Sequence, residues 1–429
     1  MPPPDYPQRW ELNDEVHARP PEAMSTPRRI STLALLSSKV PLADERQHVA
    51  ALVHRFGAPP LPEEATDFAA DLGTFRLTWE RHTEFTRFTF SAAGLDAGDP
   101  FATPALGLVP ADWLREIQGE VLVQAHVGLV PVGDTPPDYD AISVRLFAGN
   151  PLIGARIAGG AGIALTDLRI HQDGFSRALV LNKTMNQRQT GRMVQRVLEI
   201  DIYRMLALLA LPIARALNPF LSQCEQGLAE VTAALARAKA ADEGRLLDQL
   251  TRLQAQIESR HADSDSRFAA AAAYHELVRR RIAELREERI QGLQTFGEFT
   301  ERRLAPAMNT CQAAAARQES VSARMARATQ LLSTRVDVDR QRQNQVILQS
   351  MNRRAQLQLR LQETVEGLSI AAITYYVASL VGYLAKSVEA GGVPLNPDLV
   401  VGISVPVVAL LVAFGVRSIR KRIARASPL

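Results

Sequence analysis

Two uncharged stretches near the C-terminal end decide the fold of this chain: GLSIAAITYYVASLVGYLA at 367–385 and LVVGISVPVVALLVAFGV at 399–416. Neither contains Asp, Glu, Lys, Arg or His. A helix needs about 20 mainly apolar residues to cross the hydrocarbon core of a bilayer, so each stretch is just long enough. The sequence predicts two transmembrane helices in contact with the lipid bilayer. The alternative interpretation is a pair of buried helices in a soluble core.

The charges around these stretches predict their orientation. The connector at 386–398 carries one cation, Lys386, against Glu389 and Asp398, whereas the tail at 417–429 contains five Lys and Arg residues. Basic residues collect on the cytoplasmic side of membrane helices, so we expect both termini in the cytoplasm and the connector outside.

Polar and small residues form one stripe of the first stretch. Spacings of three and four place the following residues on a single helix face: Ser369, Ala372, Tyr376, Ser379, Tyr383 and Lys386. In lipid the hydroxyls would go largely unused, so the stripe should face other helices or a water-filled axis. The pattern predicts a homo-oligomer in which these residues are pore-lining candidates, with Glu389 and Asp398 supplying charge at the outer loop.

The composition upstream of the spans divides the rest of the chain. Ala, Leu, Arg, Gln and Glu dominate from about residue 190, with few Gly or Pro. This favours a long helical region broken near Pro306. The predicted segments are a cytoplasmic α/β domain at 1–187, a long helical hairpin at 188–306, a stalk helix at 307–366, transmembrane helices at 367–385 and 399–416, an outer loop at 386–398 and a basic cytoplasmic tail at 417–429.

The N-terminal domain shows strand patterns with helices between them. Apolar residues alternate at 75–79 and 88–90, which predicts a pair of strands, and further strands are expected at 121–130 and 141–147. Asp173-Gly174 lies between two apolar runs and predicts a hairpin. Helical patterns at 45–56 and 111–119 complete an α+β domain with a partly antiparallel sheet. A core helix is expected at 205–214.

Composition and motifs exclude several functions. The net charge of +3 is too small to argue for nucleic-acid binding. The two cysteines, Cys224 and Cys311, have no metal-ligand spacing, and the first thirty residues lack the apolar core of a signal peptide. No nucleophile elbow, phosphate loop or kinase motif occurs, so we expect no enzyme and no cofactor beyond a divalent metal ion.

One polar cluster is a candidate metal site. In a straight strand, Glu80, His82 and Glu84 would share one face, and carboxylates with an imidazole can bind a divalent cation. The alternatives are that this stretch is the turn of a hairpin, or that it is a solvated polar strand or an interface.

Four strings in the chain resemble a bacterial family of uncharacterised, predicted membrane-anchored proteins. They are LNDEVHARPPEAMSTPRRISTLALLS at 12–37, WERHTEFTRFTF at 79–90, TGRMVQRVLEIDIYRMLALLALP at 190–212 and ITYYVASLVGYLAKS at 373–387. The resemblance covers essentially the whole chain and implies a location in the bacterial inner membrane.

The order of segments also resembles CorA-type magnesium channels. That resemblance implies a pentamer whose first span lines an ion pathway. The Gly-Met-Asn signature of that superfamily is missing, because Gly382-Tyr383-Leu384 stand at the corresponding place. The leading hypothesis is therefore a CorA-like ion channel or transporter. The competing hypothesis is a non-conducting, membrane-anchored scaffold or ligand-sensing protein.

Overall fold

A computed structural model describes residues 3, 5–10, 12–13, 21–96, 99–133, 135–237, 240–392 and 396–426. The chain divides into two compact units. The first unit is Met1–Ala238 with Arg245–Thr329, and the second is Lys239–Gly244 with Gln330–Leu429.

The first unit is built on a mixed sheet that has nine strands among the described residues. They are β1 Arg28–Leu36, β2 Asp67–Asp71, β3 Arg76–Arg81, β4 Phe85–Ala93, β5 Glu120–Pro131, β6 Ile153–Ile157, β7 Gly162–Thr166, β8 Ser176–Asn182 and β9 Glu288–Arg289. Their order is β2-β3-β4-β1-β5-β8-β7-β6-β9. The β5–β8 pair is parallel and the other pairs are antiparallel. The predicted α+β class with a partly antiparallel sheet is confirmed.

Besides the strands, the loops and a short 3₁₀ helix at Ala105–Leu108, the described residues form nine α-helices. They are α1 Leu42–Arg55, α2 Ala111–Arg115, α3 Tyr139–Leu146, α4 Gln187–Leu208, α5 Ala210–Leu235, α6 Ala240–Leu285, α7 Phe296–Arg303, α8 Ala305–Ala390 and α9 Pro397–Ala426.

The sheet buries a separate core on each face. On one face Trp79, Phe88 and Phe90 pack with Leu52 of α1 and with Trp113. On the other face apolar residues of β1 and β5 pack with α4, α5 and α6. Strand alternation therefore supplies both cores, because successive side chains point to opposite faces.

The predicted core helix at 205–214 and the predicted strand pair are confirmed. Leu206, Ala207, Ala210 and Ala214 are buried where α4 gives way to α5. Strands β3 and β4 pair in antiparallel register, as the alternation at 75–79 and 88–90 indicates.

The predicted strand at 141–147 is wrong. These residues form most of α3, whose N-cap residue Asp138 accepts a hydrogen bond from the backbone N–H of Ala141 at 3.0 Å. A short apolar run fits either a strand or a helix, and the capping carboxylate decides for the helix.

Other predicted elements are shorter or more divided than expected. The predicted helix at 111–119 is confined to α2, and β7 and β8 pair antiparallel but leave residues 167–175 outside the ladder. The predicted helical hairpin at 188–306 holds four helices, α4 to α7, and the edge strand β9. A one-residue turn at Leu304 separates α7, which ends at Arg303, from α8, which starts at Ala305 and contains Pro306 in its first turn.

The second unit consists mainly of the C-terminal part of α8 and of α9. Near its start, Arg335 pairs with the buried carboxylate of Glu243 at 2.7 Å. Between residues 338 and 365 of α8 the large apolar side chains are exposed, among them Ile347, Met351 and Leu361. In proteins most of the stability of a helix comes from packing of its apolar face, and the described residues leave these side chains unpacked.

Candidate functional site

The predicted pore-lining stripe lies on the face of α8 that α9 does not cover. In the second unit, Thr374, Ala378 and Ala385 are the buried positions of this stretch of α8. Gly382 is part of the contact, because a Cβ there would lie 3.0 Å from Cγ2 of Val401. Five stripe residues are exposed and one is half-buried: Ser369, Ala372, Tyr376, Tyr383 and Lys386 are exposed, and Ser379 is half-buried.

The serine hydroxyls of the stripe bond to their own helix. Ser369 Oγ donates to the carbonyl of Val365 and Ser379 Oγ to that of Tyr375, both at 2.8 Å. This local bonding satisfies each hydroxyl proton and leaves oxygen lone pairs for another group.

Among the described residues, two helices are long and apolar enough to cross a membrane. The richest window of the helical stretch Phe296–Ala390 has a mean hydropathy of 1.6, and that of Pro397–Ile419 has 2.7. These values rest on length and composition.

The outer-loop charges lie at the ends of these helices. Glu389 is exposed in the last turn of α8, and Asp398 is in the first turn of α9, where its backbone N–H donates to Asn396 Oδ1 at 3.2 Å. Residues 393–395 of the predicted outer loop lie outside the described residues, as do residues 427–429 of the predicted tail.

The three predicted metal ligands are separated by a turn and engaged elsewhere. Glu80 lies in β3 and pairs with Arg87, whereas His82 and Glu84 lie in the β3–β4 turn. Glu84 pairs with Arg267 at 2.7 Å, and the ring of His82 stacks on Phe85. In the described part of the chain, no group of three His, Cys, Asp or Glu side chains is arranged to hold a metal ion. The hairpin-turn alternative is the one observed.

Glu80 belongs to a buried network of charges that joins the sheet to the helices. Its partner Arg87 also lies 3.8 Å from Glu199 of α4. Glu199 in turn pairs with Arg281 of α6, and Arg281 reaches Glu284 at 2.9 Å. Removing one member would leave the remaining charges with incomplete compensation, so the network stabilises the packing of α4 and α6 on the sheet.

The polar face of β2, β3 and β4 forms the floor of a cavity of about 690 Å³. Cross-strand pairs lie along this floor: Arg76 opposite Ser91, Thr78 opposite Thr89, and Glu80 opposite Arg87. The aromatic residues of the same strands point to the other face, into the core. The alternation of polar and apolar residues at 76–80 and 87–91 is the sequence signal for this polar face, and the metal hypothesis used only Glu80 from it.

Helix α4 and the segment 21–24 form the walls of the cavity on the side opposite the strands. Gly191, Val194, Gln195 and Leu198 line it at helical spacing. The segment is held against the helix: Met24 N–H donates to the carbonyl of Gln187 at 3.0 Å. A Cβ at Gly191 would lie 1.6 Å from the carbonyl oxygen of Glu22, so only glycine permits this contact. The sequence analysis did not predict a site at the segment 21–24 and α4, because the two come together only in the folded chain.

The sequence matches a family model described as a protein of unknown function (DUF3422) over residues 4–423. The chain belongs to this family. No curated protein and no solved structure matches it. Membership in the DUF3422 family agrees with the resemblance to an uncharacterised family and assigns no activity to the cavity or to the C-terminal helices.

Proposed function

We propose that this DUF3422 protein is a homo-oligomeric inner-membrane protein, anchored by residues 367–385 of α8 and by α9, with its α+β unit in the cytoplasm. The observation that carries the proposal is the division of α8 into two faces. One face, at Thr374 and Ala378, packs on α9 within the same chain. The other face bears Tyr376 and Ser379 and is left for helices of other subunits.

The helix before the first span supports self-association. The three-and-four spacing of the stripe continues backwards through Val365, Gln362, Gln358, Ala355, Met351 and Leu348. Val365, Met351 and Leu348 are the large apolar residues of this series, and all three are exposed. A sustained seam of this period is typical of helices that pack around a common axis. Subunits joined along this seam would bury apolar side chains that the single chain leaves exposed.

The distribution of charge supports the orientation. Arg353, Arg354 and Arg360 precede the first span and a basic cluster follows the second, whereas the connector is nearly neutral. The cytoplasmic side of the membrane is the side on which such cations collect.

Ion conduction is the second candidate function, and a pentamer of CorA-like architecture is its concrete form. The face of α8 away from α9 would line the axis with Tyr376, Ser379 and Tyr383, whose hydroxyls can face water. Lys386 follows at the outer end and would repel cations unless Glu389 or Asp398 of the same ring offset its charge. The non-conducting alternative is an anchored ligand-sensing protein or scaffold, for which the cavity in the first unit is the supporting observation.

Two measurements test these functions separately. Alkaline extraction of bacterial membranes should leave the full chain in the pellet, while a chain that stops at Glu366 should be released. Recovery of the full chain in the soluble fraction would contradict anchoring.

Oligomers reconstituted in liposomes would then be assayed for Mg²⁺ and monovalent-cation uptake. Uptake that Tyr376→Leu reduces supports conduction, and intact oligomers without uptake leave the ligand-sensing alternative.

A further inference from the structure

One carboxylate oxygen at the end of the cavity is surrounded by donors that hold it loosely. Oε1 of Glu22 accepts hydrogen bonds from Arg28 Nη1 and from Ser91 Oγ, both at 3.4 Å. Nε of Arg76 lies 3.6 Å from the same oxygen. A well-formed bond between a guanidinium and a carboxylate measures about 2.7–2.9 Å, so all three contacts are long.

The electrostatics of this group agree with the distances. Burial raises the pKa of Glu22, although Arg76, Arg28 and the Ser91 hydroxyl act in the opposite direction. The two guanidinium groups therefore offset the cost of burying this carboxylate only in part.

Each of the two arginines also has an N–H group that makes no hydrogen bond. Nε of Arg28 and Nε of Arg76 are buried, and within the described residues neither has a hydrogen-bond partner. The same holds for Nε of five other arginines in the described part of the chain: Arg29, Arg177, Arg204, Arg267 and Arg281. Among these seven arginines only Arg28 and Arg76 line the cavity, where a bound ligand could supply the acceptor.

We propose that the cavity binds a small organic anion whose carboxylate or phosphate group replaces the carboxylate of Glu22 between Arg28 and Arg76. Met24, Val194 and Leu198 line one side of the same space and offer apolar contacts to the body of a ligand, opposite the polar floor of the sheet. A volume of about 690 Å³ is within the range of small-molecule sites. Displacement of Glu22 by a better-placed anion would give Arg76 the short bond that it lacks and would add a short charged bond to Arg28, whose Nη1 already donates to Ser91 Oγ at 3.0 Å.

The cavity also contains acidic residues, and they define the competing outcome. Asp67 and Asp71 of the edge strand β2 line it together with Glu22. A cationic ligand would use these carboxylates and would need Glu22 in place. Neutralising Glu22 should therefore raise the affinity for an anionic ligand and lower the affinity for a cationic one.

The first experiment uses the full chain in detergent and four probes that share a six-carbon body: hexanoate, hexyl phosphate, hexanol and hexylammonium. Thermal unfolding is followed by tryptophan fluorescence, because a ligand that binds only the folded state raises the unfolding temperature. Hexanoate, hexyl phosphate or both should raise it, and the comparison of the two separates a carboxylate from a phosphate ligand. Hexanol controls for partition into the detergent. Equal stabilisation by hexanol or hexylammonium, or no stabilisation by either anion at millimolar concentration, overturns the proposal.

The second experiment repeats the titration on three variants. Arg76→Gln should weaken binding of the anionic probe by about tenfold, as expected for the loss of a charged donor. Glu22→Gln should tighten it several-fold, because the internal competitor loses its charge. Arg29→Gln is the matched control: this neighbouring arginine bonds to Thr103 Oγ1 at 2.8 Å and does not line the cavity, so the affinity should not change.

The two variants are expected to change the affinity in opposite directions, so either one tests the proposal if the other fails to fold. Weaker or unchanged binding in folded Glu22→Gln overturns the anion proposal, whatever happens at Arg76. An equal loss in Arg29→Gln overturns it as well, because it would show a general effect of surface charge.

Discussion

At the scale of single residues, the first unit depends on ionisable groups buried with specific partners. Glu199 is the shared partner of Arg87 and Arg281, which come from a strand and a distant helix. His126 of β5 is buried beside Ser31, whose Oγ lies 2.9 Å from Nδ1, and its ring stacks on Phe175. The free energy of unfolding should therefore depend on the charge of Glu199 and on the protonation of His126.

Replacement of Glu199 by Gln should lower the free energy of unfolding of the first unit by about 3 kcal/mol, because Arg87 would remain buried with an incomplete counter-charge. Denaturant unfolding followed by the fluorescence of the buried Trp79 and Trp113 measures this. The matched control is Glu225→Gln, which breaks a more exposed pair with Arg317 and should cost about 1 kcal/mol or less. Equal costs would show that the network is not special.

His126 should make the protein less stable in mild acid. Burial is the largest cause that lowers its pKa to about 4, from an unfolded value of 6.5. Between these values the unfolded chain binds the proton more readily, so stability is complete above pH 6.5 and decreases as the pH falls towards 4. The contribution from this histidine should be about 2 kcal/mol between pH 7 and pH 5.

The measurement compares unfolding free energies at pH 7 and pH 5 for the wild-type chain and for His126→Gln. The variant should lose about 2 kcal/mol less over this interval, even if it is less stable at pH 7. His54→Gln, at an exposed position of α1, should keep the wild-type difference. An identical pH dependence in His126→Gln would refute the assignment.

At the scale of elements, local sequence patterns predict the strands and helices, and long-range contacts determine how these elements pair and pack. The β3–β4 pair follows from its alternation, because both faces of the hairpin are specified by the sequence. Strand β9 has only two residues and exists through its pairing with β6, so no local pattern announces it. The cavity is hidden for the same reason, since its walls come from segments far apart in the chain.

Gly191 is the position in α4 where the backbone of the segment 21–24 approaches the helix too closely for a side chain. Gly191→Ala should push the segment 21–24 from the helix and destabilise the first unit by about 2 kcal/mol, as overpacking typically does. Gly107→Ala is the control, because a Cβ there meets nothing within 4 Å and should change stability by only a few tenths of a kcal/mol. Fluorescence-detected unfolding compares them, and equal stabilities would argue against the close approach.

At the scale of the whole molecule, the sequence predicts the α+β class and the two apolar helices because hydropathy is a local property. It also predicts the stripe at 369–386, and the separation of that stripe from the α8–α9 contact could be recognised only in the folded second unit. The charge network and the anion site could not be predicted, because Glu22, Arg76 and Glu199 come together only through the sheet topology. The oligomer remains a proposal derived from the exposed seam of α8.

Cysteine cross-linking in native membranes tests self-association through the first span most directly. In a background in which Cys224 and Cys311 are replaced by Ala, Tyr376→Cys places a thiol on the exposed stripe and Thr374→Cys places one on the face that packs on α9. Oxidation should produce disulfide-linked dimers of the Tyr376→Cys chain and leave the Thr374→Cys chain monomeric. Monomers from both variants, or dimers from Thr374→Cys alone, would contradict the proposed homo-oligomer.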